Sequence, residues 1–160
     1  MRMTAAGEYS CLALLAIAEN GGEWCKRQQI VDRFNVPAAF LEQILRRLAA
    51  AGLIASRRGA GGGFRLARAA SQISIAAVIR AMDGPLAPTR SVSPNFYQPS
   101  PVEASAAFHA LFRRVRDAVA EILEAETLED IVAKERTIRR TAARHRRGAV
   151  DRPAARRARG

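Results

Sequence analysis

The sequence predicts a mainly α-helical chain with one small β-hairpin, on three observations. Of its 160 residues 49% are hydrophobic but only 6% are aromatic, so the core is built from Ala, Leu, Ile and Val, which favours helices. Apolar residues recur at spacings of three and four over several stretches, most of them closed by Gly or Asn. Residues 53–67 break that rhythm: two short β-type runs flank Gly59-Ala60-Gly61-Gly62-Gly63.

Taken in order, Thr4 opens a helix to about Glu19, with Tyr9, Leu12, Ala13, Ala16 and Ile17 on one face and Gly21-Gly22 after it. A short helix spans about Arg27 to Phe34, with Ile30, Val31 and Phe34 inward and Asn35 as a left-handed stop. Pro37 sits in the first turn of a third helix, which runs to about Ala51 and ends at Gly52. Phe40, Leu41, Ile44, Leu45 and Leu48 fill its inner face, and Glu42, Gln43, Arg46 and Arg47 lie towards the other side. Two short helices at a tight turn, the second with a polar outer face, form either a helix-turn-helix or an ordinary helical hairpin. Residues 53–67 favour the first: a strand at Leu53–Ser56, the Arg57-Arg58 and glycine tip, and a returning strand at Phe64–Ala67. A hairpin directly after a helix-turn-helix is a wing. The glycine tip fits no phosphate-loop template, because no Gly-Lys-Ser/Thr ending is present and no helix follows at once.

Ser74 caps a fourth helix through Met82, closed by Gly84-Pro85. Leu86–Pro101 is a proline- and serine-rich connection carrying Phe96-Tyr97. A long helix, about Val102 to Ala125, bears a stripe of Phe108, Leu111, Phe112, Val115, Val119 and Ile122, suited to pairing with a second copy in a dimer. Thr127-Leu128-Glu129-Asp130 resembles a capping box for a last short helix, and the Arg/Ala-rich residues beyond about Arg139 are expected to be disordered. The expected domains are a winged helix-turn-helix head (1–84), a cysteine-free loop (85–101), the dimerisation helix and short helix (102–138), and the tail (139–160).

Lys and Arg total 26 against 15 Asp and Glu, a net charge of +11, which points to a polyanionic partner, nucleic acid before an anionic membrane. Residues 139–160 hold nine Arg and one Asp, so the folded part is only mildly basic. More informative is the distribution: between Glu42 and Asp83 no acidic residue occurs, while Arg46, Arg47, Arg57, Arg58, Arg65, Arg68 and Arg80 do. A phosphate-facing surface requires such a stretch. An enzyme is a poor reading, with two histidines and no convergent nucleophile–base pair. A membrane-surface role lacks the bulky apolar partners an anchor needs. Two cysteines, Cys11 and Cys25, and no secretory leader give the expectation of free thiols in a reducing, cytoplasmic compartment.

Several blocks resemble the Rrf2 family of bacterial winged-helix transcription regulators, with its IscR-, NsrR- and CymR-type members. They are Met1-Arg2-Met3-Thr4 with Tyr9, Phe40-Leu41-Glu42-Gln43-Ile44-Leu45, Ala51-Gly52-Leu53-Ile54, residues 56–68, and Ile79-Arg80-Ala81-Met82-Asp83-Gly84. The resemblance covers roughly residues 1–132. It implies a homodimer that reads a pseudo-palindromic operator in double-stranded DNA, with helices in successive major grooves and wings in flanking minor grooves. Arg58 matches the wing arginine that enters the minor groove, and Glu42 the glutamate that accepts from a cytosine amino group. Pro37-Ala38-Ala39-Phe40 departs from the family's hydroxyl-rich pattern, so Ala39 and Phe40 are candidates for apolar contact with thymine methyls, with inward packing the alternative for Phe40. The DNA-facing set is completed by Arg27, Gln28, Ala38, Gln43, Arg46, Arg57 and Arg65.

The cluster-binding members carry three cysteines between the fourth helix and the long helix. Residues 85–105 contain none here, so no iron–sulfur cluster, metal or other cofactor is expected. His109 and Glu8, which fall near ligand positions of the family, read as ordinary helix residues. Cys25, beside Trp24 and followed by Lys26 and Arg27, is the candidate redox thiol, with a structural cysteine as the competing reading. The expected function is a dimeric, sequence-specific repressor. The competing one is an interaction module that regulates a partner enzyme, with Phe96-Tyr97 as its docking patch and DNA binding secondary.

Overall fold

The computed structural model describes the backbone of residues 3–150 and the side chains of residues 3–144. It is mainly helical, with one antiparallel hairpin, as the apolar periodicity predicts. At its centre is α1 (Ala5–Glu19), whose Gly7, Ser10, Ala13, Leu14, Leu15, Ala16 and Ile17 are buried. A helix apolar on so many sides is stable only when surrounded. It packs against α2 (Arg27–Phe34), α3 (Ala38–Ala50), α4 (Ile75–Asp83) and α6 (Leu128–Val150). Ile30, Leu41, Ile44, Leu45, Leu48 and Leu53 close the same core, all at or below 2% exposure. Each such side chain contributes about 1.5–3 kcal/mol by leaving water.

Caps fix the helix ends. The Thr4 hydroxyl accepts from the Gly7 N–H at 3.3 Å, and Thr4 donates its own N–H to Asp83 at 3.0 Å. Gly7 is needed there, since a Cβ would stand 2.3 Å from the Asp83 carboxylate. Asn35, at φ 51°, ends α2 in the left-handed region, its N–H donating to Val31 at 2.8 Å. Pro37 proves to be the N-cap of α3 rather than a residue of its first turn. The hairpin pairs β1 (Ile54–Arg57) with β2 (Gly63–Leu66), in the register Ile54↔Leu66 to Arg57↔Gly63. Both strands therefore lie one residue away from their expected spans.

Beyond α4, capped by Ser74 as expected, the connection is less irregular than its composition suggests. It holds 3-10 turns at Arg90–Val92 and Pro101–Ala104 and buries Ser91, Val92 and Ser93. The long helix, α5 (Ala106–Ala125), starts four residues later than expected, because Ser105 caps it after the second turn. Thr127 and Asp130 form the expected capping box, with the Asp130 N–H donating to Thr127 at 3.2 Å and the Thr127 N–H to Asp130 at 3.0 Å. Leu128 N–H donates to Ile73 at 2.8 Å and Ile75 N–H to Glu126 at 2.9 Å, so the α5–α6 corner is stitched to the start of α4.

The last helix departs from the sequence expectation. Expected to be short, with disorder from about Arg139, α6 runs 23 residues to Val150. It gains a tertiary anchor that periodicity does not reveal: Arg139 reaches Glu19 of α1 at 3.6 Å, beside the Glu19–Arg33 ion pair, and Val132 is buried. The rest of the expected tail, 151–160, lies outside the described residues. Among those described, no helix is long and apolar enough to cross a membrane.

Candidate nucleic-acid interface

Burying Leu41, Ile44, Leu45 and Leu48 turns the opposite side of α3 outward, so Ala38, Ala39, Glu42, Gln43 and Arg46 are exposed. Arg27 and Gln28 are exposed at the start of α2. Arg27 pairs with Glu42 at 3.4 Å, and the Gln28 amide donates to Asp32 at 2.7 Å. Between α3 and the hairpin runs a groove of about 640 Å³, lined by Lys26, Arg27, Glu42, Arg46, Arg57 and Arg58 among others. Five of those six are basic, and the one acid is already paired. Arg47, from the same acid-free stretch, is spent elsewhere: its guanidinium donates to the Ala81 and Met82 carbonyls and so caps α4.

The hairpin is held against the head by the chain before α2. Cys25 and Phe64 exchange N–H···O bonds of 2.8 and 2.9 Å, an isolated antiparallel bridge on the edge of β2 away from β1. Glycine is required at the crossing, since a Cβ on Gly63 would stand 2.6 Å from the Cys25 carbonyl and one on Gly62 2.1 Å from that of Arg57. Lys26 Nζ donates to the Ala60 carbonyl at the tip. The guanidinium groups of Arg57 and Arg65 lie over the Trp24 ring, 4.5 and 4.6 Å from its centroid. Arg57 also donates to the Gly61 carbonyl. Arg58 is exposed, with no hydrogen-bond or ion-pair partner among the described residues.

Three expectations change here. Phe40 packs inward, edge-on to Tyr9 at 5.8 Å between centroids, leaving Ala38 and Ala39 as the apolar outer positions of α3. Arg57 and Arg65 are turned onto Trp24 rather than extended from the hairpin. Cys25 is only 2% exposed, because pairing with Phe64 draws it into the core. Burial pushes its thiol up more than nearby Arg33 lowers it, and Lys26 and Arg27 are engaged with Ala60 and Glu42. That environment opposes a reactive thiolate. Burial likewise raises the Cys11 thiol. Trp24 and Lys26, absent from the sequence-derived site, had one visible signal: an aromatic two residues before a cation, just ahead of the helix-turn-helix.

Along α5 no residue is buried. Phe108, Leu111, Val115 and Ile122 are 58%, 46%, 41% and 64% exposed, and Phe108 stacks on Phe112 at 6.5 Å. Val119 instead packs with Ala76 and Ile79 of α4 and with Leu86 of the same chain. Between the 85–101 connection and α5 lies a cleft of about 220 Å³ lined by Arg80, Leu86, Phe96, Arg116, Asp117 and Glu124, among others. Phe96 reaches it; Tyr97 does not, and donates to Glu103 at 2.8 Å.

A family model named Rrf2, described as an iron-dependent transcriptional regulator, matches residues 3–134. An Rrf2-like HTH-type regulator of Rhodobacter capsulatus is 34% identical over 133 residues, spanning 79% of this chain and 89% of that protein. CymR of Bacillus subtilis, an HTH-type regulator, is 31% identical over 134 residues, covering 83% and 91%. The solved structure of that CymR, described as a global cysteine regulator, superposes with a TM-score of 0.72 over 84% of this chain and 98% of the other, at 29% identity. That of T. potens IscR gives 0.65 over 84% and 88%, at 25% identity.

Iron dependence requires metal donors. Residues 85–105 contain no cysteine, and Cys11 and Cys25 are core-facing with raised thiols. Hydroxyls tie the connection instead: Ser91 bonds Thr89 at 3.0 Å and Ser100 at 2.8 Å, and the His109 ring meets the Ser91 carbonyl at 3.4 Å. Among the described residues no three His, Cys, Asp or Glu side chains converge. This donor set does not fit an iron–sulfur cluster, which needs thiolates.

Proposed function

The chain belongs to the Rrf2 family of winged-helix, DNA-binding transcriptional regulators rather than to a family of enzymes, and we propose that it acts as a dimeric, sequence-specific repressor without a metal cluster. The observation that carries this reading is the groove between α3 and the hairpin, walled by Arg27, Arg46 and Arg58 with Glu42 its sole lining acid. In this reading α3 enters the major groove through Ala38, Ala39, Glu42, Gln43 and Arg46, and the wing brings Arg58 to the adjoining minor groove, where narrow A·T-rich segments attract guanidinium groups. Pairing through Phe108, Leu111, Val115 and Ile122 presents two such heads to a pseudo-palindromic site. The place of action is the cytoplasm, alongside the chromosome.

Selection from a randomised duplex library tests it. The expected product is an inverted repeat with half-site centres about 34–36 Å apart. Enrichment of no motif, or of a single unrepeated half-site, contradicts it. A second reading, docking on a partner enzyme, is favoured by one observation: Phe96 and Tyr97 are each 58% exposed. Replacing both by Ser then abolishes a stoichiometric enzyme complex while the selected motif is unaltered.

A further inference from the structure

The wing carries three arginines in a stretch without acids, and the structure treats them differently. The register pairs Arg57 with Gly63 and Ala55 with Arg65, so Arg57 and Arg65 are diagonal neighbours across the hairpin. Side chains alternate along a strand, so these two share a face. Two guanidinium groups there, with no carboxylate to separate them, would repel. Trp24 resolves the conflict: both lie over its ring, whose negative π face takes the part of the missing anion. Arg57 is further held by the Gly61 carbonyl, and the ring's position is set by the neighbouring Cys25–Phe64 pairing. Arg58, just past the end of β1, has no such hold.

We propose that Trp24 is a positioning residue that keeps Arg57 and Arg65 off the DNA backbone, so that of the wing's three arginines only Arg58 is free to enter the DNA minor groove and sequence-independent binding stays weak. The inference rests on the DNA-binding reading of the α3–wing groove. Its physical basis is counterion release: each guanidinium that reaches a phosphate adds affinity for any duplex and steepens the salt dependence by about 0.9 in log–log slope. Two arginines freed along the flank of the wing would strengthen binding to every sequence alike. Retaining them on Trp24 preserves the ratio of specific to non-specific affinity, which decides occupancy in a genome.

The test measures binding of full-length protein to a selected operator and to a scrambled duplex of the same composition, across a salt series. Trp24→Ala is expected to bind the scrambled duplex more tightly, with a slope steeper by about one to two, and to lose discrimination. Trp24→Phe, which keeps a π face, is expected to restore both. Arg65→Gln, at a residue that does not line the α3–wing groove, leaves Trp24 in place, guarding against a merely misfolded Trp24→Ala, and is expected to leave the wild-type slope unchanged. Trp24 is the only tryptophan, so its emission also reports on the clasp directly and is expected not to shift when operator is added. A slope unchanged in Trp24→Ala, a slope that falls by about one in Arg65→Gln, or an emission shift on operator binding overturns the clasp while leaving the DNA-binding reading intact. Wild-type protein that does not distinguish operator from scrambled duplex overturns both.

Discussion

Cys25 and Phe64 exchange two backbone hydrogen bonds, joining the segment before α2 to the second strand of the wing. The wing is thus anchored on its inner edge before any DNA is present, and a cysteine that composition alone places in a loop becomes core.

That anchorage predicts inert thiols. Burial raises both Cys25 and Cys11, so the thiolate fraction at pH 8 lies below that of a free cysteine. Iodoacetamide is expected to label both slowly in native protein and rapidly in denaturant, followed by mass spectrometry. Rapid labelling of Cys25 in the native state would restore the redox reading.

The bare face of α5 predicts self-association. Ile122, 64% exposed, and Leu111, 46% exposed, are the positions to change. Ile122→Arg with Leu111→Arg is expected to convert a dimer to a monomer in sedimentation equilibrium, at a cost of more than about 2 kcal/mol in association. Helix content should be unaltered, because neither residue belongs to the monomer's core. A wild-type chain that sediments as a monomer at micromolar concentration contradicts the assignment.

How much of the fold and site is legible in the sequence depends on the range of the forces involved. Thr4, Asn35, Ser74 and Thr127 act within one turn of chain, and their caps stand where local pattern puts them. The outward side of α3 is also legible, since burial of Leu41, Ile44 and Leu48 dictates what faces out. The fates of Arg47, Arg57 and Arg65 are not. Each is set by a partner far away in sequence: the end of α4 for the first, Trp24 for the others. The length of α6 is hidden for the same reason, because Glu19, its anchor, lies at the other end of the chain.

Asp83 is expected to matter beyond its own helix. Its carboxylate accepts from the Thr4 N–H at 3.0 Å and from the Thr4 hydroxyl, tying the start of α1 to the end of α4. Asp83→Ala should cost about 1 kcal/mol, the usual worth of a lost cap, and lower the melting temperature by about 2–4 °C. A thermal melt unchanged within error would show the tie to be incidental.

Acid should loosen the start of α6. Bonds from the Thr127 hydroxyl and backbone hold the Asp130 carboxyl below its ordinary value. A lowered folded value means stability that is present above the unfolded carboxyl range and lost as pH falls through the folded one. Amide exchange at residues 128–131 is therefore expected to rise, relative to the intrinsic rate, as Asp130 protonates. Thr127→Ala should raise the Asp130 titration midpoint towards the ordinary value; an unmoved midpoint refutes the capping role.

The most direct test of the α3–wing groove as a DNA-reading surface is the operator affinity of Arg58→Ala measured across a salt series. A loss of about 1–3 kcal/mol is expected, with a log–log salt slope shallower by about 1 and unchanged thermal stability. Affinity and slope both equal to wild type would contradict the account.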